Sequence, residues 1–236
     1  MFKGLLARRV SLEPGLAARL QNWRALPEPD PERPLAHTRW VIVDVESSGL
    51  DPGRDRLIAI GAVAVHGESV RLEDGFEVIL RQETASDTAN ILVHGIGMEA
   101  QAGGVAPAQA LLNFLHFVGK DPLVAFHAPF DEEMLSRALH LHLGLRFVRP
   151  WFDLARLLPA VFPEMAARHK SLDDWLGQFA IPNFARHNAV ADSFATAQLC
   201  LVLLQRAKAR GVENRAQLRK IERDHRRLSR AGHWAF

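Results

Sequence analysis

The 236-residue chain is 48% hydrophobic and 24% charged, the balance of a globular protein with one large domain and room for extensions. A formal net charge of +2 is too small to argue for a nucleic-acid partner by itself, and the single cysteine excludes an intrachain disulfide and argues against a cysteine-based zinc site. No apolar run approaches the ~20 residues of a membrane span, and the N-terminus lacks the apolar core of a secretory signal; a cytoplasmic location without a membrane partner is expected.

In chain order, residues 1–25 read as a helical arm, with Leu5, Leu6, Val10, Leu16, Ala17 and Leu20 at loosely helical spacing and Pro14 as a break or restart. The proline-rich LPEPDPERP at 26–34 reads as a linker. Strands are expected at 39–46, 57–65 and 75–80, joined by short connections as an antiparallel meander. The pattern then changes to a helix at 107–118, a buried strand at 123–126, a helix at 130–141 and a further strand within 146–154. Ser171 and Asp174 predict a capped helix over 171–179, and Asn188 caps a long helix over 189–208, where Cys200 falls in an apolar pattern and reads as a core thiol. From Arg206 to Arg230 there are ten Lys/Arg and three Asp/Glu, which leaves nineteen basic and twenty-four acidic residues elsewhere, a net of −5. The tail, helical over 213–230, is therefore basic on a mildly acidic body; it reads as a phosphate-binding helix or as a solvated or subunit-packing one. The order implies an α/β fold, a mixed sheet with helices on its faces. The domains expected are an arm and linker at 1–36, a main domain at 37–207 and a tail at 208–236.

The first strand, WVIVDVES, carries Asp44 and Glu46 two residues apart, so both carboxylates point to one face. That face is either open to solvent or shared with a cation, since like charges side by side repel. Carboxylate oxygens suit Mg²⁺ or Mn²⁺. Two further acids could join them. Asp131 follows a short strand and Pro129 at a helix start, where helix capping is its alternative role; Asp192 lies one turn into the long, mostly apolar helix. His187, five residues before Asp192, is a candidate general base, its unperturbed pKa being about 6.5.

Taken together, DVESSGL, FHAPFD and HNAVAD resemble the three motifs of the DEDD 3′→5′ exonucleases, in the branch with a histidine in the third motif, which includes the proofreading epsilon subunit of bacterial DNA polymerase III. The resemblance covers roughly residues 38–207. The sister branch places a tyrosine four residues before the last aspartate. That position is Asn188, and the chain contains no tyrosine. Two positions depart from the pattern: Phe126-His127 stands where His-Asn is usual, and Gly97 where a threonine often follows the His-Gly-Ile turn.

The resemblance implies a ribonuclease H-like fold, with three antiparallel strands followed by parallel ones. It also implies hydrolysis of single-stranded nucleic acid from a free 3′ end to nucleoside 5′-monophosphates, with DNA ahead of RNA, in proofreading or repair, and a DNA polymerase as one conceivable partner. It implies two divalent cations, Mg²⁺ or Mn²⁺, held by Asp44, Glu46, Asp131 and Asp192, with His187 taking the proton of the attacking water. Ser47 and Ser48 are expected to hydrogen-bond the terminal nucleotide, and Leu50, Ile96 and Phe126 to meet bases, unless these three pack in the core. His94 is expected at the substrate or, failing that, on the surface. The alternatives are a binding or polymerase-interaction module without turnover, an exoribonuclease, and a ribonuclease H-like endonuclease.

Overall fold

Strand β1 (Arg39–Ser47) divides the molecule's apolar interior in two. In the computed structural model, which describes residues 10–183 and 188–232, Val41, Val43 and Val45 enter one core and Trp40 and Ile42 the other. Asp44 and Glu46 continue the second set by the two-residue period. β1 pairs antiparallel with β2 (Leu57–His66), which pairs antiparallel with β3 (Ser69–Ile79). On its other side β1 runs parallel to β4 (Leu123–Ala125), and β4 parallel to β5 (Trp151–Asp153), giving the order β3-β2-β1-β4-β5. This is the expected mixed sheet. β2 is covered on both faces, which is why LIAIGAVAV is apolar without alternation.

The first core is closed by α1 (Pro14–Ala25), α4 (Pro107–Val118) and α5 (Ala128–Leu143), and the second by α6 (Leu154–Val161), α7 (Leu172–Gln178), α8 (Ala189–Ala209) and α9 (Arg215–Gly232). Two short helices, α2 (Thr88–His94) and α3 (Met98–Ala102), fill the connection from β3 to α4. Cys200 is buried in α8, and burial pushes its thiol up to about 12. Among the described residues no helix is long and apolar enough to cross a membrane.

Several expectations are revised. β3 begins at Ser69, not 75, because Gly67, at φ +59°, turns the chain back at once; Ser69, Val70 and Arg71 pair with His66, Val65 and Ala64 on an edge where no apolar pattern is required. Within 146–154 only Trp151–Asp153 is strand. The Asp153 carboxylate accepts the Ala155 N–H and turns the chain into α6, whose helical character Pro159 obscures in sequence. The tail helix packs one side on its own chain: Leu218 and Glu222 are buried, while Lys220, Arg223, Arg226 and Arg227 remain exposed. Pro14 starts α1 at its first turn, which suits a residue without an N–H. In the same helix Trp23 is buried, donates its indole N–H to Gly119 O at 2.8 Å and lies under Lys120 Nζ, 3.7 Å from the ring centroid. The segment read as a linker is held at Glu28 by Arg149, at 2.6 Å, and at Glu32 by Asn214, at 2.7 Å.

One residue decides how closely α8 approaches the sheet. Gly61 of β2 lies opposite Asp44, and a Cβ there would fall 2.2 Å from the backbone carbon of Ala189, the first residue of α8. The absence of a side chain lets the helix rest directly on the strand, and Ser193 Oγ donates to Gly61 O at 3.0 Å. Gly61→Ala is expected to displace the start of α8 and cost about 1–3 kcal/mol of stability, the usual range for overpacking. Denaturant unfolding of the variant checks this; an unchanged midpoint would contradict it.

Candidate active site

The site is assembled where β1 ends and α8 begins. Asp44 and Glu46 project from β1 on the face that α8 covers. Asp192 sits in the first turn of α8, held by backbone geometry: Asn188 Oδ1 accepts the Ala191 N–H at 3.0 Å, and Asp192 N–H donates to Asn188 O at 2.8 Å. Asn183 Nδ2 donates to Asp192 Oδ1 at 2.5 Å and orients that carboxylate. Ligand oxygens of Asp44, Glu46 and Asp192 all lie within 4.8 Å of one another, with Asp192 buried and the other two half-buried. Three like charges so close are mutually unfavourable unless a cation shares them, and an all-oxygen donor set suits a hard divalent ion. The residues fit such a group.

Asp131 stands outside that group of three, in the first turn of α5, and is buried. Burial drives its carboxyl well above the usual carboxylate range; the nearby charges of Asp153 and Glu46 push the same way, against hydrogen bonds from its own N–H and that of Val45. Its helix is aimed by Asp153, whose Oδ1 accepts the N–H of His127 at 3.0 Å. His127 adopts φ +66°, an uncommon value for a residue other than glycine, at the N-cap of α5. Asp153 is fixed in turn from α9, where Glu222 Oε1 accepts the Asp153 N–H at 3.2 Å, and from Arg156 at 3.2 Å.

The other residues singled out in sequence are distributed unevenly. His187 lies outside the described residues. Ser47 Oγ donates to Gly49 O at 2.6 Å; Ser48 Oγ donates to Asp55 at 3.1 Å and accepts the Arg56 N–H at 2.9 Å, so both hydroxyls close the turn after β1. Leu50, at the tip of that turn, is 91% exposed. His94 is not a surface histidine. It is 6% exposed, its Nδ1 accepts the Ile96 N–H at 3.0 Å and its Nε2 meets Ser86 Oγ at 3.3 Å, while burial lowers its pKa. Ile96 is half-buried, its carbonyl held by Gln101 at 2.8 Å. Phe126 is partly buried against the second core, with its ring edge-on to His127.

Sequence reading missed three contributors. Asn90 Nδ2 donates to Ser48 O and ties α2 to the turn; α2 also exposes Leu92 and Val93. Asn183 and Asp153 orient catalytic candidates through the hydrogen bonds above. Asp153 alone carried a signal, an aspartate at the end of an apolar strand and the start of a helix.

Residues 41–200 match the family model described as exonuclease (RNase_T). A DNA polymerase III subunit epsilon-like protein of Rhodobacter capsulatus is 36% identical over 203 residues, which is 84% of this chain and 28% of that protein. The chain spans less than a third of the length of the first curated relatives it matches, 28% and 13%. Among solved structures, E. coli exonuclease I in complex with a dA16 oligonucleotide superposes with a TM-score of 0.63 at 14% identity, over 73% of this chain and 42% of that one. The nuclease domain of 3′hExo, a DEDDh family member bound to rAMP, gives 0.63 at 16% identity, over 73% and 94%. At these identities the solved structures establish a shared fold, the ribonuclease H-like mixed sheet.

Asp131 also sets a pH dependence. A carboxyl whose folded pKa is raised contributes stability that is fully present below its unfolded pKa and is lost as pH rises through the folded value. In EDTA, stability of the wild type should therefore fall relative to Asp131→Asn as pH rises above the ordinary carboxylate range. Chemical denaturation of both proteins across pH 4–8 measures this; parallel curves would contradict it.

Proposed function

The chain belongs to the exonuclease family, and we propose that it hydrolyses single-stranded nucleic acid from the 3′ end, DNA in preference to RNA, releasing nucleoside 5′-monophosphates with two divalent ions, Mg²⁺ or Mn²⁺. The observation that carries this reading is the convergence of Asp44, Glu46 and Asp192 within 4.8 Å at the end of a sheet. Asp44, Glu46 and Asp192 would hold one ion, and Asp131 would serve the other with Asp44. When bound, the ions lower the pKa of the attacking water and stabilise the leaving 3′-oxygen. His187 takes the proton from that water, as a histidine titrating near neutrality can. The exposed Leu50 and the half-buried Ile96 offer apolar contact to the terminal bases, and the turn of Ser47 and Ser48 holds the strand end through its backbone.

The preference for DNA is supported by the polymerase-related name of the Rhodobacter protein and by the dA16 strand in exonuclease I. The same relative favours proofreading or repair, with a DNA polymerase as protein partner and a cytoplasmic setting. The exonuclease unit is residues 37–207, flanked by the arm at 1–36 and the basic tail at 208–236.

The test uses 5′-labelled single-stranded DNA and RNA of one sequence, incubated with Mg²⁺, Mn²⁺ or EDTA. A metal-dependent ladder shortening from the 3′ end is expected, faster on DNA and reduced at least about a hundredfold in Asp44→Ala. Cleavage of a closed circular strand would instead indicate an endonuclease. Binding without turnover in either metal would indicate an interaction module.

A further inference from the structure

On the sheet face away from the carboxylate cluster, α5 and the ends of β2 and β3 enclose a cavity of about 510 Å³. Its floor is apolar, formed by the buried Leu80 and Met134 with the exposed Leu141 beside them. Its rim carries three arginines, Arg56, Arg81 and Arg137, and one carboxylate, Glu83. Among the described residues the Arg56 side chain reaches the Ala85 carbonyl, at 3.4 Å, and the Arg81 side chain the Gly104 carbonyl, at 3.1 Å. Among the described residues none of the three forms an ion pair. Three guanidinium groups against one carboxylate, around an apolar floor, favour a ligand with both anionic and apolar parts. The planar, five-donor guanidinium matches phosphate oxygens in pairs and also stacks on bases.

The cavity shares its end of the sheet with the cluster. Leu57, at the cavity wall, pairs in register with Ser47. Ser48 N–H donates to Arg56 O at 2.9 Å, and Arg56 N–H donates back to Ser48 Oγ at 2.9 Å. Met134 follows Asp131 by one turn of α5. A strand whose 3′ end lies at the carboxylates can thus cross the turn of Ser47 and Ser48 and enter the cavity. Pockets of roughly 300–1,000 Å³ suit small organic ligands, so this one has room for one or two nucleotides.

We infer that this cavity is a second nucleic-acid subsite, binding upstream phosphates and bases of the single strand whose 3′ end is being cut. The inference rests on the exonuclease reading. It is tested with the full-length chain and its Arg81→Ala/Arg137→Ala double variant, with Arg137→Ala alone as the milder change. Binding of a labelled 20-nucleotide DNA strand is followed by fluorescence anisotropy in EDTA across salt concentrations. Hydrolysis of the p-nitrophenyl ester of thymidine 5′-monophosphate, which reaches only the carboxylate cluster, is measured with Mn²⁺.

The double variant should bind the 20-mer on the order of tenfold more weakly, and its log–log salt slope should be shallower by about 1.4, half that for the single variant. Binding of a 4-mer and turnover of the ester should not change. Equal 20-mer affinity and salt slope in all three proteins would overturn the inference and point to another occupant, such as an acidic peptide. Absence of ester or strand cleavage by the wild type would refute the exonuclease reading instead, while the binding data would still decide whether the cavity takes the strand.

Discussion

Three carboxylates with oxygens inside 4.8 Å repel one another, and much of this fold serves to hold them there. Main chain does most of the work. The pleat of β1 puts Asp44 and Glu46 on one side, and the antiparallel pairing of both residues with Gly61 and Ala59 of β2 fixes their spacing. Asp192 arrives on the first turn of a 21-residue helix, braced by its Asn188 cap and by the bare backbone of Gly61. The positive end of the helix dipole also lies there, which eases the concentration of negative charge. Asp131 comes from the opposite side of the sheet, through a strained residue, His127, that Asp153 holds by a single hydrogen bond. The parts of the chain outside the matched family region contribute as well: α9 supplies Glu222 behind Asp153, and α1 closes the first core through Trp23.

The features legible in sequence were those with a fixed spacing. A two-residue period identified Asp44 and Glu46 as neighbours on one face. Ser171 with Asp174 marked the α7 capping box, whose reciprocal bonds are both present, and Asn188 marked the start of α8. Short connections gave the antiparallel meander, and the family resemblance the parallel strands that follow it. The features that escaped depend on contacts between distant segments. Asn183, nine residues before Asp192, has no local reason to touch it. Asn90 reaches Ser48 across 42 residues. The burial of His94 follows from Ser86, which meets its Nε2 and is itself held by Gln101, and neither expectation for His94, substrate contact or the surface, included it. The packing of the basic tail escaped in the same way: its charge does not reveal that Leu218 and Glu222 seat one side of α9 against β5 and α6.

Charge is also segregated around one end of the sheet. Acids gather on the face covered by α8, and unpaired arginines ring the cavity on the face covered by α5, with the turn of Ser47 and Ser48 between them. A polyanion would then be drawn toward the edge by the arginines and would meet net negative charge at the cluster until divalent ions offset it. Recognition and hydrolysis would thus be assigned to opposite faces of one strand pair, and the short β1–β2 connection would set the distance between them.

The most direct measurement is anomalous diffraction at the manganese edge from crystals of the full-length chain grown with Mn²⁺ and a nucleoside 5′-monophosphate. Two peaks about 3.5–4 Å apart are expected, one bound by Asp44, Glu46 and Asp192 and the other on the side of Asp131. No manganese at these carboxylates, with the nucleotide bound elsewhere or not at all, would contradict it.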